Sequence, residues 1–182
     1  MGVGGAFYTS GSTVTLNNST VTGSTAYRCS GSCGGAGGTI VNGSGNLALN
    51  NSTVSENSAG GIFNDSGTAT LQNSIISSNS ARNCTDTITS RGYNLSSDGS
   101  CAFSNSGDRN NTNPLLGTPG SNGGPTPTLP LLAGSPAIDA GNPNGCTDGH
   151  GNLLKTDQRG LPRPDPEDTG GCDMGAYERQ LD

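Results

Sequence analysis

Apolar side chains in the first half of the chain stand two apart, as in Val14/Leu16 and Leu47/Leu49. This alternation puts one face of an extended strand inside and the other outside. Gly, Asn and Ser, all turn formers, fill the breaks between the apolar runs. No segment carries a helical stripe with caps. The phrase Leu-Asn-Asn-Ser-Thr-Val occurs at Leu16–Val21 and Leu49–Val54, and returns blurred at Leu71–Ile76. Leu49 to Leu71 is a step of 22 residues, and Leu16 to Leu49 is 33, the excess being an insertion at 27–36. The underlying period reads as 22–23 residues. On that period Val14, Leu47 and Ala69 align, as do Leu16, Leu49 and Leu71, and Val21, Val54 and Ile76. Phe7, Ile40 and Phe63 form a further column, and so do Ala26, Ala59 and Ala81. A fourth, degenerate copy begins at Arg82.

A leucine-rich repeat has a comparable period but needs more leucines per unit than this chain supplies. Three short strands in about 22 residues predict one coil of a parallel β-helix. The expected fold class is therefore all-β. Coils would occupy 1–112, and 113–182 would form an extended segment and a loop-rich cap packed on them. Stacked coils turn each column into a ladder with a step of about 4.8 Å. Asn18, Asn51 and Asn73 are expected at one corner, because Asn tolerates the left-handed conformation and its amide can bond to its copy one coil away. In this reading the Ser and Thr of the phrase face outward.

Composition narrows the picture. Only 29% of residues are hydrophobic, against roughly 45–50% in ordinary globular chains. That means either disorder or a thin core. Disorder brings high charge, whereas here 12% of residues are charged and the apolar positions are regularly spaced, which favours the thin core. The net charge of −6, with Lys155 as the only lysine, provides no basic patch for nucleic acid. No apolar run is long enough for membrane insertion, and the start has no signal-peptide pattern.

The six cysteines fall in three local couples: Cys29/Cys33, Cys84/Cys101 and Cys146/Cys172. An even count in a sparse-core chain suggests disulfides and an oxidising compartment. Zinc would need close pairs converging on one site, and Cys29/Cys33 is the only close pair.

After Cys101 the repeat fades into a Pro/Gly-rich stretch punctuated by Leu115, Leu116, Leu129, Leu131, Leu132 and Ile138. These apolar residues suggest an extended segment docked along the coils. Gly123–Gly141, "GGPTPTLPLLAGSPAIDAG", is followed by "DQRGLPRP" (Asp157–Pro164) and "CDMGAYE" (Cys172–Glu178). With Asn83–Cys101, these motifs resemble the C-terminal choice-of-anchor Q module of secreted, mostly bacterial, right-handed parallel β-helix proteins of the pectin-lyase-like superfamily. The resemblance covers about residues 83–178. It implies a secreted or cell-surface protein. The chain begins in mid-repeat and ends without a sorting tail, so a fragment or short relative is expected. An uncapped first coil would invite self-association through its edge.

The resemblance also implies polysaccharide chemistry, which the residues do not supply readily. A lyase site needs carboxylates holding Ca²⁺ and a basic residue nearby. A hydrolase needs paired acids on adjacent coils. Arg28, Glu56, Asp65, Arg82, Asp86 and Arg91 form no ladder in the repeat register. Asp139, Asp157, Asp173 and Glu178 sit in the family-like motifs. They are either a calcium site or buried carboxylates that bind Arg159 and Arg163 and lock the cap. A lone histidine in a Gly-rich loop, His150, reads as exposed and inert. No catalytic residue and no resident cofactor is assigned. Three functions follow in order: a structural, adhesive or fibre-forming surface protein; a glycan-binding module or polysaccharide-active enzyme; and an ice binder, for which the Thr13/Thr15 array is irregular on the next coils.

Overall fold

A computed structural model of the chain describes residues 5–25, 38–166 and 171–180. The Cys29–Cys33 couple, the 27–36 insertion and Ala26 lie outside the described residues. Ten strands and no helix occur among those described: β1 (Phe7–Asn17), β2 (Thr20–Thr22), β3 (Gly38–Asn50), β4 (Thr53–Ser55), β5 (Gly60–Asn64), β6 (Thr68–Gln72), β7 (Ile75–Ser77), β8 (Cys84–Thr85), β9 (Thr89–Ser90) and β10 (Leu95–Ser96). The protein is all-β.

Every strand pairing is parallel. One sheet runs β8-β5-β3-β6-β9, with β1 also on β3, and the other runs β10-β7-β4-β2. The long β3 curls the first sheet. Its N-terminal half pairs with β5 through Ile40↔Ile62, and its C-terminal half with β6 through Leu49↔Leu71. Among the described residues β1 pairs only with β3 and β2 only with β4.

The columns emerge largely as read. Val14 pairs with Leu47 and Leu47 with Ala69; Leu16 pairs with Leu49 and Leu49 with Leu71; Val21 pairs with Val54 and Val54 with Ile76. Leu49, Leu71, Val54 and Ile76 are fully buried in one cluster with Ile40, Ile62 and Phe103. Each such aliphatic side chain contributes roughly 1.5–3 kcal/mol.

Two columns need correction. Ile40 pairs with Ile62, and Phe63 pairs with Val41. A one-residue slip reverses a side chain's face, and Phe63 is accordingly only half-buried while Ile62 is buried. Ala81 is exposed whereas Ala59 is buried. The 22-residue step also shortens in the fourth level, where Thr70 pairs with Thr89 and Ile75 with Leu95.

A further correction concerns the hydroxyls. Ser52, Thr53, Ser55, Ser74 and Ser77 are buried, not exposed. Ser52 and Ser74 turn their hydroxyls to Leu16 O and Leu49 O, each at 3.3 Å, Ser55 and Ser77 pair with each other at 2.9 Å, and the chain beyond residue 113 covers Thr53. Leu131, Ala137 and Met174 pack on Ile75 and Leu95 in a second apolar cluster. In the C-terminal segment 171–180, here called the strap, Ala176 donates its N–H to Thr53 Oγ1 at 3.0 Å, and Gly175 donates to Asn73 O at 2.7 Å. Gly175 has φ +92°, and a Cβ there would stand 2.6 Å from Thr53 Oγ1. Only glycine lets the strap lie this close.

The corners are built from amides. Asn18, Asn51 and Asn73 have φ 45°, 49° and 51°. Asn73 Nδ2 donates to Asn51 Oδ1 at 3.0 Å. Asn18 is not bonded to Asn51; its amide donates to Thr156 O at 2.7 Å. A second asparagine ladder was not anticipated: Asn42 to Asn64 at 2.8 Å. A third runs from Asn57 to Asn79 at 2.9 Å. These ladders pair buried amides with one another, although Asn42 Oδ1 has no partner among the described residues.

Candidate functional site

The outer face of β1, β3 and β6 presents the residues that alternate with the core columns. Thr13, Asn46 and Thr68 form one row across the strands, and Thr15, Ala48 and Thr70 form the next. Small side chains leave a shallow floor. The loop at residues 147–152 overhangs it on one side, and Arg91 reaches it after β9, enclosing a groove of about 280 Å³.

The sheet itself holds the overhanging loop. Asn50 Nδ2 donates to Asp148 O at 2.9 Å and also to Asn17 Oδ1 at 2.9 Å. Asn51 Nδ2 donates to Thr147 O at 2.7 Å. Gln72 Nε2 adds a bond to Thr147 Oγ1 at 3.3 Å. The loop base is stapled by the Cys146–Cys172 disulfide, with Cα atoms 6.1 Å apart. Gly149, at φ +85°, passes directly over Asn50, where a Cβ would stand 2.8 Å from its Nδ2.

Asp148 is the carboxylate on this groove, and its own loop uses both oxygens. Oδ2 accepts Asn152 Nδ2 at 2.8 Å; Oδ1 accepts the N–H of His150 at 2.8 Å and of Asn152 at 3.2 Å. The Asn152 amide, then the His150 N–H, holds its pKa below the usual aspartate value against a smaller opposing effect of burial. A carboxylate kept ionised and occupied in this way is a poor proton donor. The groove therefore offers hydroxyls, amides, one guanidinium and the His150 imidazole. This set suits hydrogen bonding to a polyhydroxylated chain. His150, read from the sequence as inert, lines the groove.

The acidic motif residues do not converge as a cation cage. Asp139 gives its backbone N–H to Asp173 Oδ1 at 2.8 Å. Asp157 accepts Arg159 Nε at 2.8 Å and the N–H groups of Arg159, Leu161 and Glu178. Glu178 accepts Arg163 Nε at 2.7 Å. Arg159 stacks over the Tyr177 ring at 3.7 Å and donates to the backbone oxygen of Glu178. Among the described residues, no group of three or more His, Cys, Asp or Glu is arranged to hold a metal ion. The cluster ties the last motif to the preceding one and, through Arg163 Nη1 to Asn18 Oδ1 at 2.9 Å, to the first level of strands.

The Cys84–Cys101 bond also forms, with Cα atoms 4.8 Å apart. It closes the segment in which Asp98 accepts bonds from Ser100, Ser96 and the Asn83 N–H. Local sequence signals failed to assemble the groove, because Thr13 and His150 are 137 positions apart in the chain. The one legible hint was the recurrence of outward Thr at Thr13, Thr15, Thr68 and Thr70. No helix among the described residues is long and apolar enough to cross a membrane. Comparison with protein-family models, curated proteins and solved structures found no match to this chain.

Proposed function

We propose that the chain is part of an extracellular surface protein that adheres to glycans through the groove without cleaving them. The observation that carries this reading is the lining: threonine hydroxyls and the exposed Asn46 amide on the sheet floor, with the carboxylate of Asp148 committed to its own loop. Such a surface can exchange hydrogen bonds with sugar hydroxyls. It lacks the pair of facing carboxylates that glycoside hydrolysis uses. The overhanging loop makes the face a groove and not a plane, which favours a chain-like ligand over an ice surface.

The architecture we infer is a short right-handed parallel β-helix with a choice-of-anchor Q-like cap. Parallel pairing at a repeated 22-residue step supports the first part. The interlocking of the "DQRGLPRP" and "CDMGAYE" motifs through Arg159, Arg163 and Glu178 supports the second. Two disulfides are compatible with an oxidising exterior. A fibre role is the second reading, favoured by the outer edges of β1 and β2, which pair with nothing among the described residues. Sedimentation at rising concentration tests it, and a constant monomer mass removes it.

The test of the adhesive reading is a calorimetric titration against soluble neutral and acidic glycans, with product release followed in parallel. Ala48→Arg fills the floor of the groove from an outward position. It should abolish binding while leaving the melting temperature within a few degrees. Undiminished affinity in that variant, or turnover of any glycan, rejects the reading.

A further inference from the structure

A second opening in the surface shares no lining residue with the threonine groove. It is a cleft of about 650 Å³ between the segment that follows the Cys84–Cys101 disulfide and the chain at residues 139–143. Tyr93, Asp108 and Arg109 line it from the first side, Asp139 and Ala140 from the second.

The backbone of both walls is bonded to neighbouring elements. Arg109 extends the second sheet by a parallel bridge to Leu95: it donates its N–H to Asn94 O at 2.7 Å, and its carbonyl accepts the Ser96 N–H at 2.8 Å. Opposite, Asp139 donates its N–H to Asp173 Oδ1 and Gly141 donates to Cys172 O, each at 2.8 Å. Tyr93 and Asp139 both take the left-handed conformation, with φ 59° and 52°. For a ring-bearing side chain this is uncommon, and it persists where the surroundings enforce it. Gly107 lies against the Tyr93 ring, where a Cβ would strike it, and the ring also packs on the Ile75–Leu95 cluster. The ring is thus placed before any ligand arrives.

The charged lining residues are Asp108, Arg109 and Asp139. Asp108 is already committed. Its Oδ2 accepts the Ser90 hydroxyl at 2.6 Å and the Asn105 N–H at 2.7 Å, and its Oδ1 accepts the Asn94 N–H at 2.9 Å. Arg109 and Asp139 are both exposed. Among the described residues, neither the Arg109 guanidinium nor the Asp139 carboxylate makes a hydrogen bond or an ion pair, with each other or with a third group. A cation and an anion therefore face one cleft without cancelling. A simple anion would meet two carboxylates beside the guanidinium, and a simple cation would leave Arg109 unmet. A ligand carrying both signs satisfies both.

We propose that this cleft binds a small zwitterion, of the class of free α-amino acids and short peptides: Arg109 takes the carboxylate, Asp139 the ammonium group, and the Tyr93 ring packs against the atoms between them.

A guanidinium matches a carboxylate with two parallel N–H donors, and Asp139 accepts the ammonium N–H groups. An aromatic face beside the ammonium adds to its attraction. Both head groups are solvated in the empty cleft, so the affinity falls in the micromolar to millimolar range. This site is independent of the glycan reading of the groove.

NMR titration of the whole chain tests this, with the common L-amino acids and L-alanyl-L-alanine as probes. The amide signals of Tyr93, Gly107 and Gly141 should shift and saturate, and comparison of the two arms tells a free amino acid from a peptide. N-acetylation or C-terminal amidation of the tightest probe should each weaken it about tenfold or more. Arg109→Gln should erase the penalty of amidation, and Asp139→Asn that of acetylation; asparagine keeps the left-handed backbone. Both variants should melt within a few degrees of the native chain. Should either fail to fold, the capped probes on the native chain decide alone. No shift at those amides with any uncapped probe up to about 10 mM overturns the proposal. So does equal affinity for capped and uncapped probes, or native affinity in both variants.

Discussion

Asn18, Asn51 and Asn73 share a backbone conformation and differ in what their amides hold. Asn18 holds Thr156 O, Asn51 holds Thr147 O, and Asn73 bonds to Asn51 while its Oδ1 accepts the Asn142 N–H at 3.0 Å. One column of corners is thus the anchoring line for three separate stretches of the second half. The left-handed φ was legible in the sequence, because asparagine adopts it at low cost. The partners were not, because they lie roughly 70 to 140 positions away. Asn51→Ala removes both the conformational tolerance and a buried amide. It should cost about 2–4 kcal/mol in urea unfolding. Asn51→Gly should recover the backbone part but not the bond to Thr147, and should fall between the two.

At the scale of elements, the strap and the groove loop behave as one unit. The strap crosses β4 and β7 through Gly175 and Ala176, and the disulfide carries that placement to the loop at residues 147–152. Replacing Cys146 and Cys172 by serine frees a 26-residue separation. By chain entropy the loss is about 3.5 kcal/mol. Glycan affinity should fall in that variant even where denaturant titration shows the sheets still folded, since the wall moves and the floor does not. Equal affinity in both forms would show that the amides of Asn50, Asn51 and Gln72 hold the loop without the disulfide. The apolar alternation of β3 and β6 announced these strands, but the register of β5 was misread by one residue because consecutive glycines precede both Ile40 and Ile62. Pairing resolved it, since only Ile62 can enter the core when Gly38 lies beside Gly60.

For the whole molecule, two carboxyl environments of opposite sign shape stability against pH. Glu178, raised, withdraws stability as pH climbs from its ordinary value to about 8. Asp98 goes the other way. Burial pushes it up, but bonds from Ser100, Ser96 and the Asn83 N–H together outweigh this and leave its pKa below the usual value. Its contribution is present above the unfolded aspartate pKa and is lost as pH falls through the depressed folded value. The melting temperature should therefore peak in acid, at about pH 4, between the ordinary aspartate and glutamate values, and fall on both sides. Asp98→Asn should flatten the acid limb, and Glu178→Gln the limb toward alkali. Calorimetry across pH 2.5–9 measures both.

The sequence by itself determined the strands, the 22-residue step, the inward columns and the asparagine corners. All of these are periodic, so each copy testifies to the others, and the periods of strand and repeat are properties of local chemistry. Only the tertiary structure decided that Ser52, Thr53 and Ser74 of the phrase are buried, that His150 and Arg91 meet Thr13 and Thr70 in one groove, and that Glu178 lies beside the like charge of Asp173. Those outcomes depend on where one non-repeating segment is laid against the repeats. That placement is fixed by hydrogen bonds and burial between residues far apart in the chain, which no local pattern encodes.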